Sequence, residues 1–430
     1  MNQRKVALYT VGCKLNQYET EWMGESLEKA GFERVGFSEQ ADLYIINTCT
    51  VTAQSDYSSR QAVYRAFRRS PGSKIVVVGC YSEVEPDLLN QLPGVALVMG
   101  NEEKMRIGEV ILERLYSKTS EMNEQKNRIA GRFKHTRALV KIQDGCNESC
   151  AYCIVPRARG NEKSRDANEI VDEIKGLRDK GFKEVVLTGV HIGKYSKNGM
   201  NLLLLLKKIL DETQVERIRL SSIEPKELNE ELIELLFQEK RLCRHMHLPL
   251  QAGSNEILKR MRRNYTVEEY RDLIQEVFDR IEGVTIGADV MVGFPGESEE
   301  DFEKTCGFIL SSPLSYLHVF SYSDRKGTSA SKMEDKIAPQ VIHKRSEILH
   351  QIGKEKWEKH VERFAGEKME ILVESTKDKK TARLIGLTDN YIRILVNCDE
   401  ELKSRILTVK AVKREGKFLT GEIKDFSTYE

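Results

Sequence analysis

Short apolar runs alternate with amphipathic helical stretches along most of this chain. The first 115 residues contain three such runs, each followed closely by a cysteine: Lys5–Thr10, Asp42–Ile46 and Lys74–Val78. The helical stretch Tyr18–Ala30 ends at Gly31, as helices with a glycine C-terminal cap do. The runs lie about 30 residues apart, which is the size of a strand–helix unit in a parallel sheet. We therefore predict an N-terminal α/β domain with a parallel sheet at residues 1–116.

The alternation resumes after residues 117–136, a polar segment without periodicity that we predict to be a linker. Six further apolar runs are candidate strands: Ala138–Ile142, Glu184–Thr188, Arg217–Ser221, His245–Leu250, Thr285–Val292 and Leu317–Tyr322. Capping patterns precede two of the intervening helices, Asp166 with Glu169 and Thr266 with Glu269. Six such units predict a partial (β/α)6, TIM-like barrel at residues 137–362, with its chemistry at the carboxyl ends of the strands.

The last part of the chain, residues 363–430, has a different pattern. Its apolar runs are short and separated by polar turns: Met369–Val373, Tyr391–Val396 and Ile406–Val412. Such spacing is typical of a small antiparallel β-barrel. The predicted fold class is therefore α/β with a third, all-β domain.

Charge and hydropathy limit how this protein could bind nucleic acid or associate with a membrane. Lys and Arg total 68 against 67 Asp and Glu, so nucleic acid would have to be bound by local basic patches. We find no signal peptide and no apolar stretch approaching about 18 residues, so we expect a cytoplasmic protein that does not enter a membrane. In that compartment thiols stay reduced, and clustered cysteines are more often metal ligands or catalytic groups than disulfides.

Six of the nine cysteines form two triplets. Cys146, Cys150 and Cys153 form a C-x3-C-x2-C run directly after the first predicted barrel strand. Three thiolates would leave one iron of a four-iron cluster free to bind a small molecule. Zinc is the competing interpretation, but structural zinc takes four protein ligands, and the nearest histidine before the run, His135, lies eleven residues away.

The second triplet is dispersed. Cys13, Cys49 and Cys80 each follow a predicted strand of the N-terminal sheet. Because ligands of open parallel sheets gather at the carboxyl ends of strands, these thiols are predicted to share one cluster. The alternative for each is a small buried residue, which is also how we interpret Cys243, Cys306 and Cys398.

Several polar or glycine residues end the later barrel strands and are candidate cofactor contacts: Gly189, Ser221, Glu224, Gln251 and Asp289. A glycine at such a position lets a ligand approach the backbone. For each one alone, a solvated or structural role is the alternative.

The C-x3-C-x2-C run resembles the signature of the radical S-adenosylmethionine superfamily. The resemblance implies that the open iron binds the amino and carboxylate groups of S-adenosylmethionine, and that an electron from the cluster cleaves it to a 5′-deoxyadenosyl radical. It also implies that Tyr152 packs near the adenine and that Gly189 lies near the methionine amino group. An ordinary packing tyrosine is the alternative for Tyr152.

Both triplets together resemble the radical S-adenosylmethionine methylthiotransferases, over nearly the whole chain. The matching motifs are Thr10–Asn16, Ile46–Thr52, Val78–Cys80, Gln143–Asn147, Val155–Gly160 and Leu250–Ser254. The tail resembles that family's RNA-binding TRAM domain, notably at Leu387–Tyr391. The resemblance implies two 4Fe-4S clusters and two S-adenosylmethionine molecules per turnover. One methylates a sulfur on the N-terminal cluster, and the other yields the radical that activates a carbon to receive the methylthio group.

The residues after Cys13, Lys-Leu-Asn, resemble the branch that acts on N6-threonylcarbamoyladenosine next to the anticodon of tRNA. The same chemistry on isopentenyladenosine, where Gln-Met-Asn is usual, or on a ribosomal-protein aspartate, where Pro-Lys-Asn is usual, are the alternatives. A non-catalytic, zinc-containing RNA-binding protein is the alternative from another class. A cation would favour the substrate's carboxylate, so Lys14 and Arg157 are candidate substrate contacts, with a solvated or paired role as the alternative.

The expected partners are tRNA and a reduced flavodoxin- or ferredoxin-like electron donor. Three basic clusters suit phosphate contacts: Arg60, Arg65, Arg68 and Arg69; Lys259, Arg260, Arg262 and Arg263; Lys410, Lys413, Arg414 and Lys417. The sequence leaves the oligomeric state open, with a monomer as the expectation.

Overall fold

A parallel five-stranded sheet opens the chain, in the order β2-β1-β3-β4-β5. The computed structural model describes residues 3–117 and 136–423, so most of the predicted linker, His135 and the last seven residues lie outside the described residues. The strands are β1 Lys5–Thr10, β2 Glu33–Val35, β3 Leu43–Thr48, β4 Lys74–Gly79 and β5 Val95–Met99. The helices are α1 Lys14–Lys29, α2 Ala53–Arg69, α3 Cys80–Val84, α4 Pro86–Asn90 and α5 Ile107–Tyr116.

The central strands of this sheet are covered on both faces. Every residue of β3 is buried; Ile45 packs in one hydrophobic cluster, and Tyr44 and Ile46 pack in another on the opposite face. Burial on both faces is why these strands appear in the sequence as continuous apolar runs. The short strands β2 and β5 lie at the edges, are less buried, and were missed in the sequence.

Six parallel strands form the second part. They are β6 Ala138–Lys141, β9 Glu184–Thr188, β12 Arg217–Leu220, β13 His245–His247, β14 Thr285–Val292 and β15 Tyr316–Ser321. They pair in the order β6-β9-β12 and β13-β14-β15, and a parallel bridge from Ile218 to Leu242 joins the two sets. Four two-residue strands lie in the loops: β7 Gln143–Asp144, β8 Lys163–Ser164, β10 Ser196–Lys197 and β11 Met200–Asn201.

Helices follow these strands on the outside. They are α6 Val155–Arg159, α7 Ala167–Asp179, α8 Leu202–Glu212, α9 Glu230–Gln238, α10 Asn255–Arg260, α11 Val267–Arg280, α12 Glu299–Ser311 and α13 Pro339–Glu362. Thr266 and Glu269 form the predicted reciprocal capping box, whereas Asp166 caps its helix through the N–H of Asn168. The partial (β/α)6 barrel is thus confirmed.

Strand alternation gives this barrel two distinct faces. Ile286, Ala288 and Val290 of β14 belong to the large hydrophobic cluster shared with the helices. Side chains of a strand alternate between faces, so Gly287 and Asp289 face the interior of the barrel. Asp289 therefore places a carboxylate in the interior, while the outside is packed against helices.

The N-terminal part closes the side of the barrel between β6 and β15. Tyr18 of α1 packs on Leu139 and Val186, at the β6 edge. After the other edge strand, β15, the guanidinium of Arg325 donates to Thr50 Oγ1 at 2.6 Å and to a carboxylate oxygen of Asp56 at 2.7 Å.

The third part is a closed five-stranded barrel in the order β16-β17-β18-β20-β19. Its strands are β16 Lys368–Lys377, β17 Leu384–Thr388, β18 Arg393–Val396, β19 Ile406–Glu415 and β20 Phe418–Ile423. The predicted β-barrel is confirmed, although β17 and β20 were missed. The domain boundaries 1–116, 117–136, 137–362 and 363–430 remain predictions.

The loop after β17 closes the amino-terminal end of the larger barrel. Arg219 of β12 is fully buried and donates to the backbone carbonyls of Thr388 and Asp389 at 3.1 and 2.8 Å. Tyr391 stacks on His245 with ring centroids 4.1 Å apart. Across the described ranges, no helix has the length and apolar character needed to cross a membrane.

Candidate functional site

The first cysteine triplet lies on the loop that follows β6 and β7. Gly145 precedes it with φ +70°, and a Cβ there would lie 2.0 Å from the Asn161 carbonyl, so only glycine fits. Gln143 orders the surrounding backbone: its side chain donates to the Gly145 carbonyl at 2.8 Å and accepts from the His191 N–H at 2.8 Å. This loop is therefore tied to the end of β9.

Each of the three sulfurs accepts a hydrogen bond from nitrogen. Cys146 accepts from the Glu148 N–H and Cys153 from the Val155 N–H, both at 3.4 Å. Cys150 accepts from the guanidinium of Arg263 at 3.2 Å. Such donors stabilise thiolates, and hydrogen bonds to sulfur tune iron–sulfur clusters.

Burial works in the opposite direction on two of these thiols, those of Cys150 and Cys153. It raises the pKa of Cys153 to about 12, and it raises the pKa of Cys150 despite the nearby Arg263. These thiols therefore stay protonated unless a metal cation binds and deprotonates them. The donor set fits a bound metal cluster.

Arg263 contacts the first triplet, although sequence reasoning placed it in a basic cluster for RNA. Its side chain is only 5% exposed and pairs with Glu224, so it does not belong to an exposed basic surface. Burial raises the pKa of Glu224, and the Arg263 guanidinium opposes that rise. The Arg263 guanidinium thus joins a predicted cluster ligand to a predicted cofactor contact.

His191 also lies beside the first triplet, although no motif in the sequence singled it out. Its Nδ1 lies 3.6 Å from Cys146 Sγ, and its Nε2 lies 2.7 Å from a carboxylate oxygen of Glu227. Burial alone would lower the pKa of His191, but Cys146 and Glu227 raise it to about 10.

The second triplet lies at the carboxyl ends of three neighbouring strands. Cys13 caps α1 after β1, Cys49 follows β3, and Cys80 begins α3 after β4. Asn16 ties two of these loops together, because its amide donates to the carbonyls of Val11 at 2.7 Å and Thr48 at 3.0 Å.

The environment of these thiols resembles that of the first triplet. Burial raises the pKa of Cys49 to about 11 and also raises the pKa of Cys80. Gly12 has φ +108°, and a Cβ there would lie 3.0 Å from Cys49 Sγ, so the turn needs glycine.

The two triplets are close neighbours across the interface. Cys80 packs with Ile154 and Ala158, which directly follow the first triplet. Arg159 donates to the side-chain oxygen of Asn16 at 2.5 Å. The helix that begins after Cys13 therefore contacts the helix that follows Cys153.

A buried ion cluster holds this interface. Glu19 has no exposed side-chain surface, and its carboxylate contacts Lys104 at 2.6 Å, Arg159 at 3.0 Å and Lys141 at 3.2 Å. Although burial raises it, these three cations hold the pKa of Glu19 well below its usual range. Asp144 completes the cluster through Lys141 and Arg159.

The sulfur spacing bears on the zinc alternative. Among the described residues, two groups have all their ligand atoms within 4.8 Å of one another: Cys146, Glu162 and His191; His247, Asp289 and His318. Neither cysteine triplet is such a group, whereas sulfurs on one tetrahedral zinc lie about 3.8 Å apart. In each triplet at least one pair of sulfurs therefore lies more than 4.8 Å apart.

The other predicted cofactor contacts lie at the carboxyl ends of the barrel strands. A Cβ on Gly189 would lie 2.8 Å from the Gln143 carbonyl. Gln251 has a left-handed φ of +64°, and its N–H donates to the Asp289 carbonyl at 2.8 Å. Ser221 is half-buried after β12. Tyr152 is largely buried and meets Phe294 edge-on, with centroids 6.5 Å apart.

The two candidate substrate cations lie in different places. Lys14 is half-buried, and burial together with the charges of Arg137 and Arg219 lowers its pKa to about 8. It forms no ion pair with any residue that the structure describes. Arg157 is exposed and donates to the Lys326 carbonyl at 3.4 Å.

Comparison with protein families agrees with this architecture. Residues 140–309 match the radical SAM superfamily. Residues 5–100, which carry the second triplet, match the uncharacterized protein family UPF0004.

Three curated relatives cover nearly the full chain. Threonylcarbamoyladenosine tRNA methylthiotransferase MtaB of Bacillus subtilis is 38% identical over 96% of both chains. The protein of that name from Aquifex aeolicus is 42% identical over 91% of this chain and 96% of its own. A tRNA-2-methylthio-N(6)-dimethylallyladenosine synthase of Thermodesulfovibrio yellowstonii is 34% identical over 98% of this chain and 99% of its own.

Solved structures share the fold. The radical S-adenosylmethionine methyltransferase TsrM of Kitasatospora setae aligns with a TM-score of 0.53 at 16% identity, covering 74% of this chain and 75% of its own. The cobalamin-dependent radical enzyme OxsB aligns with a TM-score of 0.51 at 13% identity, covering 84% of this chain and 56% of its own.

Proposed function

This chain belongs to the threonylcarbamoyladenosine tRNA methylthiotransferase family, and from that premise we propose that it methylthiolates threonylcarbamoyladenosine next to the tRNA anticodon, using two 4Fe-4S clusters. The observation that carries the two-cluster part is the adjacency of the two cysteine triplets. Arg159, six residues after Cys153, contacts the helix that begins directly after Cys13.

Each triplet has the donors for one cluster. Cys146, Cys150 and Cys153 would hold the cluster that binds S-adenosylmethionine, and Cys13, Cys49 and Cys80 would hold the sulfur-carrying one. When bound, these groups supply an adenosyl radical at the first site and a methylthio donor at the second, with two S-adenosylmethionine molecules per turnover.

The chain's own residues position the reactants. Glycine at position 189 lets the end of β9 pack against the Gln143 carbonyl, and the Gln143 side chain fixes the following backbone by accepting from the Val190 and His191 N–H groups. We assign this ordered strand end at Gly189 to the methionine amino group of S-adenosylmethionine. Arg263 compensates negative charge at Cys150 and Glu224. We assign Ser221 and Gln251, which follow strands, and Asp289, which lies within β14 and faces the barrel interior, to S-adenosylmethionine as further contacts. We assign Tyr152 to its adenine.

The surrounding parts cover this chamber at one edge and at one end. α1 covers the β6 edge of the barrel, and the loop carrying Tyr391 closes its amino-terminal end. A radical intermediate needs such shielding, because solvent and free thiols would quench it.

Cations suit the acidic substrate and the RNA. We assign Lys14, a half-buried ammonium without an ion-pair partner among the described residues, to the threonylcarbamoyl carboxylate, with Arg157 as the exposed alternative. Two arginines of the basic cluster on α2 form hydrogen bonds within the protein. Arg60 donates to the Tyr81 hydroxyl, and Arg69 donates to the Phe37 carbonyl. Arg68 remains exposed for phosphate.

We further propose a reduced flavodoxin- or ferredoxin-like electron donor, a monomeric enzyme and a cytoplasmic location. The closed five-stranded barrel of β16 to β20, here called the terminal barrel, would contact RNA through its basic residues Lys410, Lys413, Arg414 and Lys417.

The function is tested with anaerobically reconstituted protein and two anticodon stem-loop RNAs. One carries threonylcarbamoyladenosine and the other isopentenyladenosine, and the nucleosides are weighed by mass spectrometry after digestion. We expect the methylthio group on threonylcarbamoyladenosine only, and none with Cys150→Ala. Product on isopentenyladenosine alone would assign the chain to the other substrate, and a colourless zinc protein without turnover would contradict the enzyme assignment.

A further inference from the structure

Two exposed rings line the interior of the barrel on its last strand. Side chains of β15 alternate, and Leu317 and Val319 pack against the helical core. The rings of His318 and Phe320 therefore face the interior, where their side chains are 54% and 43% exposed. Aromatic surface left open inside an enzyme indicates a binding surface.

One of these rings is fixed from behind. His318 Nδ1 lies 3.4 Å from a carboxylate oxygen of Asp289, which also lies 3.3 Å from His247 Nε2. His247 Nδ1 is in turn 2.7 Å from Ser222 Oγ. The imidazole of His318 is thus oriented by neighbouring strands while much of its surface stays open.

The rings lie on the side of the barrel that faces the N-terminal cysteines. Three residues after Phe320, Ser323 Oγ accepts from the Ala53 N–H at 2.9 Å. Ala53 follows Cys49 by four residues. A ligand lying on these rings would therefore be near the sulfur-donating site as well as the strand ends.

We propose that His318 and Phe320 form the stacking platform for the target purine of the tRNA, with Asp289 and His247 as positioning residues that orient His318. Every nucleobase has a π-face, and stacking on an aromatic side chain strengthens binding on the order of tenfold or more per base. The inference rests on the proposed function, because it assumes an RNA substrate.

The test measures how much the target base contributes to binding. The reconstituted holoenzyme is titrated with two fluorescent anticodon stem-loops, one carrying the modified adenosine and the other abasic at that position. The ratio of their dissociation constants gives the contribution of the target base to binding, because the phosphate contacts are the same for both RNAs. We expect the wild type to prefer the intact stem-loop by about tenfold or more, and Phe320→Ala and His318→Ala each to remove most of that preference.

Controls separate stacking from folding. Phe320→Trp should keep the preference, and Phe237→Ala, at another phenylalanine that is 57% exposed, should leave it unchanged. Iron content should stay at the wild-type level in every variant, and S-adenosylmethionine binding should stay at the wild-type level in both Phe320 variants. An unchanged preference in Phe320→Ala would overturn the proposal. It would also be overturned if the wild type bound zinc and His318→Ala lost that zinc while binding RNA as the wild type does. A wild type that forms no methylthio product refutes the proposed function instead.

Discussion

Replacing Glu19 by Gln tests how the two cysteine triplets are held together. The substitution removes one buried negative charge that lies among three buried or nearly buried cations. Lys104, Arg159 and Lys141 have side-chain exposures of 1%, 3% and 11%, and after the substitution only Asp144 remains to balance them within the cluster.

The expected magnitude follows from the burial. Removing one partner of a buried ion pair costs about 3–5 kcal/mol, because the remaining charge is desolvated without compensation. The exposed pair Glu103–Arg114, with exposures of 41% and 47%, provides the matched control. For Glu103→Gln we expect a loss of no more than about 1 kcal/mol.

The chain offers a local reporter for this measurement. Trp22 on α1 packs with Tyr18 and Leu139 at the same interface, and the only other tryptophan is Trp357. In a Trp357→Phe background, urea titration followed by tryptophan fluorescence reports the N-terminal interface.

The pH dependence of the free energy of unfolding provides an independent test. Because Glu19 has a pKa well below the usual range in the folded state, the unfolded chain binds more protons as the pH falls. The stabilisation is complete above the ordinary glutamate pKa of about 4.3 and is lost below it. The difference between wild type and Glu19→Gln should therefore shrink at acidic pH. A Glu19→Gln loss equal to that of Glu103→Gln at neutral pH would refute the reasoning.

Three further predictions concern the clusters and the terminal barrel. Changing all three N-terminal cysteines to alanine should lower the iron content from about eight to about four per chain, whereas full retention of iron would show that they are not ligands. Arg263→Gln should lower the midpoint potential of the first cluster by on the order of 50 mV in an EPR-monitored titration, because Cys150 loses a cationic donor; exposed Arg262→Gln should leave it unchanged. Burial and, to a lesser extent, the charge of Arg363 lower the pKa of His360 to about 4. The free energy of unfolding should therefore decrease as the pH is lowered from 6.5 to 4, by at most about 1.4 kcal/mol per pH unit. Fluorescence of Trp357, whose ring lies 5.9 Å from His360, follows this loss, and an equal slope in His360→Asn would contradict it.

Local pattern was sufficient for the six strands of the larger barrel and for β1, β3 and β4 of the N-terminal sheet. The six barrel strands begin within one residue of their predicted positions, because each is an apolar run bounded by turn residues. The edge strand β2 was missed because it has only three residues, and the edge strand β5 was missed as well. Topology then brought the cysteines to the strand ends, since parallel strands share one carboxyl edge.

Long-range pairing was beyond the sequence. Arg263 appeared in a run of basic residues and was assigned to RNA, yet the fold buries it between Cys150 and Glu224. Glu19 and Arg159 are 140 residues apart, and no local periodicity relates them.

The sequence by itself determined the strand–helix order, the two sets of thiols and the family. Only the tertiary structure decided which charges are buried together, which aromatic rings remain exposed inside the larger barrel and which loop closes its amino-terminal end. The reason is that strand and helix patterns arise from neighbours a few residues apart. A buried ion cluster or a stacking surface exists only where distant segments meet, and their meeting is settled by the packing of the whole chain.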